Sequence, residues 1–344
     1  MKTKLLLLVL ALPCFSWAQT ACQANLENAQ NAFYNGRFEE VIVLLKDCRD
    51  AASDKELKVQ ILELYARAEL MRGNGASVEK SVAEILRIDP YYKAYASKSA
   101  NLAPVFNNYS IRSPWQFDAY AGPSQSNYRI LAWRSIASSV QEAYYEDGLS
   151  WFSGFSLSRR IAWGFYATAG VEYQRFAFQR EELQNDYLIQ SSKERYQFWQ
   201  YPLGLAFKLP YRNFELGIEG AAVAVNLNEA WADIRLDPMP SDEPQAFPGS
   251  PDEITNYDLL GQRRSFGWSY RYGISVAYFY RAMGIRVGLA QQISPYNQVN
   301  PDQRYENPEL NQDLNYVSDD FAIDQIMFRF GLSYRILKPY KNQN

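Results

Sequence analysis

The sequence has no histidine and three cysteines. It also lacks a second apolar run beyond the short one at its start. Each shortage excludes something. Without histidine, Ser-His-Asp and Cys-His catalysis are closed, and so are histidine-ligated zinc sites. No internal segment reaches the about twenty apolar residues that a spanning helix needs. No excess of one charge exists either: Lys+Arg 35 against Asp+Glu 38 gives a net charge of −3, so no nucleic-acid partner is expected. No glycine loop for phosphate is present. On these grounds the chain is expected to have no cofactor, no catalytic residues and no metal, and not to be an enzyme.

What is present begins with "MKTKLLLLVLALPCFSWAQ". Two lysines, a short apolar run and Ser16-Trp17-Ala18 make an export signal over 1–18, with cleavage after Ala18. Removal of Cys14 with it leaves Cys22 and Cys48. An even pair in an oxidising compartment predicts a disulfide.

Residues 19–98 have a helical period. "NLENAQNAFYNGRFEEVIVLLKDC" reads as a helix, a turn at Asn35-Gly36 and a second helix. "KELKVQILELYARAELMRGNGASVEKSVAEILRIDP" repeats the plan, with Gly73 and Gly75 at the turn and Pro90 as terminator. Ala29, Gly36 and Phe38, then Ala66, Gly73 and Pro90, fit the tetratricopeptide pattern, near its period of about 34 residues. Cys22 opens the first helix and Cys48 closes the second, so an antiparallel hairpin brings them side by side. Such a region serves either as a plain helical spacer or, as repeats of this kind usually do, as a dock for a partner; in the second case the exposed ridges around Phe38, Leu45, Tyr65 and Val82 are the expected contact. A linker is expected over 99–113.

From 114 to 337 the period is two. Eight segments alternate: 115–122, 149–158, 162–176, 195–209, 213–227, 266–280, 284–293 and 321–336. Their connections alternate between long (near 123–148, 177–194, 228–265 and 294–320) and short (159–161, 210–212 and 281–283). One face of each is apolar, as with Ile326, Phe328, Phe330, Leu332, Tyr334 and Ile336. The other carries Asp118, Glu172, Lys208, Glu215, Glu219, Arg271, Arg286, Arg329 and Arg335. Isolated charges in an apolar soluble core cost several kcal/mol each, whereas inside a membrane barrel they pair with one another and with water. Tyr 26, Phe 19 and Trp 8 suit such a barrel, whose aromatics gather at the two interfaces. Glu215 and Glu219 share a face, a spacing that suggests paired carboxylates; pairing with Arg271 or Arg286 is the stronger reading. Asp233, Asp237, Asp242, Glu243, Asp252, Glu253 and Asp258 follow no calcium-loop spacing and read as a solvated acidic loop. Residues 338–344 form a tail.

The eight strands, the "FRFGLSYRI" ending and the helical prefix with "LRIDPYY" resemble Bacteroidota-type porin-family outer-membrane barrels with a periplasmic tetratricopeptide-like domain. The resemblance implies a small all-α helical-repeat (TPR-like) domain followed by an eight-stranded antiparallel transmembrane β-barrel. It places the barrel in the outer membrane of a Gram-negative bacterium and the helical domain in the periplasm. The expected function is non-catalytic: anchoring a helical interaction domain, as an accessory or structural part of an envelope secretion or assembly complex. Its expected partners are outer-membrane lipid and a periplasmic or outer-membrane protein. Ligand binding by the long loops is the alternative. A small-solute channel is disfavoured, because eight strands enclose little more than their own side chains.

Overall fold

The structure, a computed structural model, describes residues 21–92, 100–134, 144–184, 188–238, 253–305, 310, 314 and 316–342. The expected export signal lies outside them. The chain divides into two compact units, residues 1–114 with 336–344, and residues 115–335.

Among the described residues the first unit holds five α-helices: α1 (21–34), α2 (Phe38–Ala51), α3 (Lys55–Met71), α4 (Gly75–Ile88) and α5 (Ala103–Asn107). Gly36 and Gly73 sit at φ 75 and 76 and close the two turns, a left-handed conformation that glycine adopts without a Cβ clash. Asp54 caps α3 by accepting the Leu57 N–H at 2.8 Å. Cys22 and Cys48 form a disulfide with Cα atoms 5.4 Å apart, tying the start of α1 to the end of α2 inside a core with Leu26, Leu45 and Ile61.

Three expectations are corrected here. Leu45 and Val82 are fully buried and Tyr65 is 7% exposed, while Phe38 packs on Phe33 with ring centroids 5.4 Å apart. These four residues build the unit's own core, because the hairpins bury their apolar seams against each other. The supposed linker is structured. Leu102 and Phe106 pack with Leu62 and Val82, and Pro104 suits the first turn of α5 because its missing N–H has no helical partner there. The tail is structured as well. The last strand runs to Lys341, whose Nζ lies 2.7 Å from Glu79, and the Asn342 N–H donates to the Asn108 carbonyl at 2.8 Å.

The sheet contains ten antiparallel strands: β1 (Tyr109–Ala132), β2 (Tyr144–Asp147), β3 (Leu149–Arg160), β4 (Phe165–Gln184), β5 (Leu188–Tyr211), β6 (Phe214–Pro238), β7 (Glu253–Asp258), β8 (Phe266–Tyr280), β9 (Met283–Ile293) and β10 (Asp320–Lys341). The count exceeds eight because two long strands are interrupted. β2 and β3 both pair with β4, and β7 and β8 both pair with β6. The pairing path β1-β3-β4-β5-β6-β8-β9-β10 returns to β1. Closure gives each of these eight strands a partner on both sides, while β2 and β7, among the described residues, pair on one side only.

The strands are also longer than their apolar alternation. β4, β5 and β6 continue through much of the supposed long loops at 177–194 and 228–265. The alternation inverts on the way. On β5, Trp199, Tyr201, Leu203 and Leu205 are exposed, while further along Tyr196 and Phe198 are buried. The apolar residues change faces without the strand ending.

Candidate functional site

The outward face of the closed sheet is apolar over one band. On β8 it reads Phe266, Trp268, Tyr270, Tyr272, Ile274, Val276, Tyr278 and Tyr280, all about half exposed or more. Aromatics stand at both ends and aliphatics between them. The short turns Arg212–Asn213 and Arg281–Ala282, both strand termini Tyr109 and Lys341, and the 161–164 turn all fall at one end, the turn end. The loop end is opposite.

Inside the turn half, the structure brings all nine predicted interior charges into two joined clusters. In the first, Arg271 Nη1 and Nη2 donate to the two Glu172 carboxylate oxygens at 2.5 and 2.6 Å. The same guanidinium donates to Gln200 at 2.8 Å and to Gln292. The Tyr120 hydroxyl donates to Glu172 at 2.6 Å, and Arg329 pairs with Glu219 and lies 4.0 Å from Glu172. In the second, Arg286 donates to Glu215 at 2.6 Å and to Ser275 at 2.8 Å, and its Nε lies 3.3 Å from Asp118. Arg335 also pairs with Glu215. Lys208 donates to Ser158 at 3.2 Å with its ammonium 4.8 Å from the Tyr166 ring centre. The glutamates thus pair, Glu215 with Arg286 and Arg335, and Glu219 with Arg329 in place of Arg271 or Arg286. The space left between these side chains is a cavity of about 60 Å³ for water-sized molecules. Buried ions at this density persist only when paired and hydrogen-bonded.

Inside the loop half the lining is different. Phe176, Phe178, Tyr196, Phe198, Val225 and Leu227 meet Phe321 of β10 and Leu259, Leu314 and Tyr316 from the connections in one apolar core. Phe176 stacks on Tyr196 with centroids 4.9 Å apart. Arg263 is held there by Glu194 at 2.7 Å and by the Tyr196 hydroxyl at 2.7 Å, and Arg180 pairs with Glu182 at 2.5 Å and Asp319 at 3.4 Å. Tyr316, buried in this core and beside Glu194, has its hydroxyl pushed well above the usual tyrosine range. At Asp320 burial opposes ionisation. Hydrogen bonds from Asn297 and Arg134, and the charge of Arg304, nevertheless hold its carboxyl below the usual range.

None of the loop-half ions was singled out in the sequence. Arg180, Glu182 and Glu194 do keep the inward parity of β4 and β5, so extending those strands would have found them. Arg263 and Asp319 lie outside regular strands and carry no periodic signal. Of the acidic loop, Asp233 and Asp237 accept from Arg195 and Arg235 at 3.1 and 2.7 Å, while Asp242, Glu243 and Asp252 lie outside the described residues.

No protein-family model matches this chain, and no curated protein matches it. Solved structures do, outer-membrane proteins among them. Neisserial surface protein A is 9% identical, with 66% of this chain and 99% of that one covered and a TM-score of 0.34. The outer membrane protein OprG from Pseudomonas aeruginosa is 9% identical over 67% and 98%, with a TM-score of 0.36. At such values no activity, ligand or partner passes to this chain, and its architecture rests on its own strand pairing. One expectation is withdrawn. The matches include the outer membrane enzyme PagL, 12% identical over 64% and 99% with a TM-score of 0.24. They also include the outer membrane protease OmpT from Escherichia coli, 10% identical over 66% and 98% with a TM-score of 0.27. Sheets of this kind house catalysis in other chains, so the expectation that this one is not an enzyme does not stand.

Proposed function

We propose that the closed sheet spans an outer membrane and that the chain uses it to anchor a helical, TPR-like interaction unit on the periplasmic side. The observation that carries this reading is the outward band. Large apolar side chains at every second position, bounded by aromatics, face away from a lumen filled with paired ions. Water outside would leave that band uncompensated, whereas lipid suits it. The turn end supports the side assignment, since short turns face the periplasm in such barrels and the helical unit enters β1 there. The packed lumen speaks against a channel. On the helical unit, Tyr34 (81% exposed), Val43 (73%) and Met71 (55%) stand in water and replace the four buried residues as candidate contacts for a protein partner.

Two experiments separate this from its rivals. The purified protein should run faster unboiled than boiled on a gel, and release by carbonate washing would sink the membrane reading. Deleting residues 23–88 should leave an inserted barrel that no longer co-purifies its partner. A second reading, ligand capture at the loop end, draws on the packed aromatic core that orders those connections. It wins if altering the loop end abolishes function and the helical deletion does not.

A further inference from the structure

We propose that the outer wall of the sheet, just beyond the lipid-facing band at the loop end, binds the phosphate of an outer-leaflet glycolipid. This rests on the membrane reading above. The residues come from adjacent strands. Arg175 of β4 lies opposite Trp151 of β3 and Gln197 of β5. Farther toward the loop end, Arg195 of β5 lies opposite Trp231 of β6. With Asn256 of β7 they line one cleft on the outside of the wall.

The cleft has a phosphate site's chemistry. Arg175 is exposed and makes no hydrogen bond or ion pair among the described residues. Arg195 is fixed by one nitrogen only: its Nη2 donates to both Asp233 oxygens at 3.1 Å and to Asn256 Oδ1 at 2.7 Å, which leaves Nε and Nη1 for a ligand. The nearby acids are already engaged, Asp233 by Arg195 and the Asn256 N–H at 2.8 Å, and Glu229 by Gln197 at 2.5 Å. Guanidinium forks match phosphate geometry, and the flanking indoles offer flat apolar faces to a sugar ring.

Height selects the occupant. On the same two strands Tyr173 and Trp199, which face each other in register, mark the last aromatic level of the band. Arg175 stands one outward position past it and Arg195 two, at the height of lipid headgroups. Toward the turn end, the outward positions Gly220 and Ala222 of β6 sit between Leu205 and Leu203 of β5 and Tyr272 and Tyr270 of β8. They leave a groove there, a seat for an acyl chain of the same lipid.

The test uses the full-length protein in detergent and native mass spectrometry. The probes are a bis-phosphorylated, acylated glucosamine disaccharide and its phosphate-free counterpart. The wild type should retain the phosphorylated lipid. Arg175→Ala combined with Arg195→Ala should lower the bound fraction by about tenfold or more, the scale of one or two charge-assisted hydrogen bonds, and the double lysine variant should restore part of it. Both proteins should hold the phosphate-free lipid equally weakly. Equal retention by wild type and double alanine variant, or equal affinity for both lipids, overturns the site. If the double variant loses the unboiled gel shift, the single Arg175→Ala, which removes no hydrogen bond or ion pair among the described residues, decides. A wild type without that shift sinks the membrane reading itself, whereas a shifted wild type without phosphate preference sinks only this site.

Discussion

Replacing Arg271 with Met tests whether the lumen is sealed. Glu172 is 1% exposed, and the substitution removes its two bonds to the guanidinium while leaving the Tyr120 hydroxyl and Arg329 at 4.0 Å. Breaking a buried pair by deleting one partner costs about 3–5 kcal/mol, because the remaining charge stays uncompensated. The surviving contacts place Arg271→Met near the lower limit, roughly 3 kcal/mol. Glu172→Leu is expected to cost a similar amount, since it strands Arg271 among Gln200 and Gln292. The double variant removes both charges and should cost less than the sum by about 2 kcal/mol or more. Urea unfolding of the vesicle-inserted protein, followed by tryptophan fluorescence, gives each value from the midpoint and slope. Single costs below about 1 kcal/mol that add without coupling would refute the reasoning, since water would then be solvating each ion by itself.

On the lipid-facing band, Phe330→Arg should destabilise the inserted barrel by roughly 2–4 kcal/mol, and a change within error in the same assay would place that face in water. In the helical unit, the 22–48 bridge closes a separation of 26 residues and should contribute roughly 3–4 kcal/mol. Peptide mapping without reductant should recover it, and a free thiol at either cysteine would disprove it. The depressed carboxyl of Asp320 should stabilise the loop end at and above the ordinary carboxylate range, a contribution lost as pH falls through its lowered value. Protection of residues 294–305 against hydrogen exchange, relative to the intrinsic rate at each pH, should therefore fall in acid, and Asp320→Asn should remove that pH dependence; an unchanged profile would show that the carboxylate plays no such part.

Much of the fold was legible because lipid imposes a strict code. Outward positions such as Phe328 and Phe330 must be apolar and inward ones such as Arg329 polar, so period and polarity coincide. Legibility stopped where the code changed. By outward apolar period alone the strands close at Phe176 and reopen at Arg195, because the apolar residues between them occupy the other parity. The helical unit failed differently. The sequence places Phe38, Leu45, Tyr65 and Val82 on exposed ridges, and the structure packs them inside, because a period cannot tell a seam that meets another helix from a ridge awaiting a partner. Met327 shows the limit at one residue. It shares the inward parity of the arginines yet is fully buried with Phe152 and Ala290, a packing that only the pairing of distant strands reveals.

On the proposed membrane reading, the parity switch marks where the lipid ends. A strand with lipid outside must face its apolar side chains out, and its inward side must then be filled by ions that satisfy one another. Past the lipid the outside is water, so the inside becomes the only place to bury apolar surface, as in a soluble protein. Each strand therefore records the boundary independently. β4 switches between Tyr173 and Phe176, and β5 between Trp199 and Phe198. On β6 the outward apolar residues give way at Asn226, while Val225 and Leu227 turn inward. Register places Tyr173 opposite Trp199, and Trp199 opposite Asn226. Three strands that converge on one level by separate sequence changes are hard to reconcile with a barrel wetted along its whole outer face. They are what a bilayer surface at that height requires, with the ion clusters of Arg271 and Arg286 below it and the aromatic core of Phe176 and Tyr196 above.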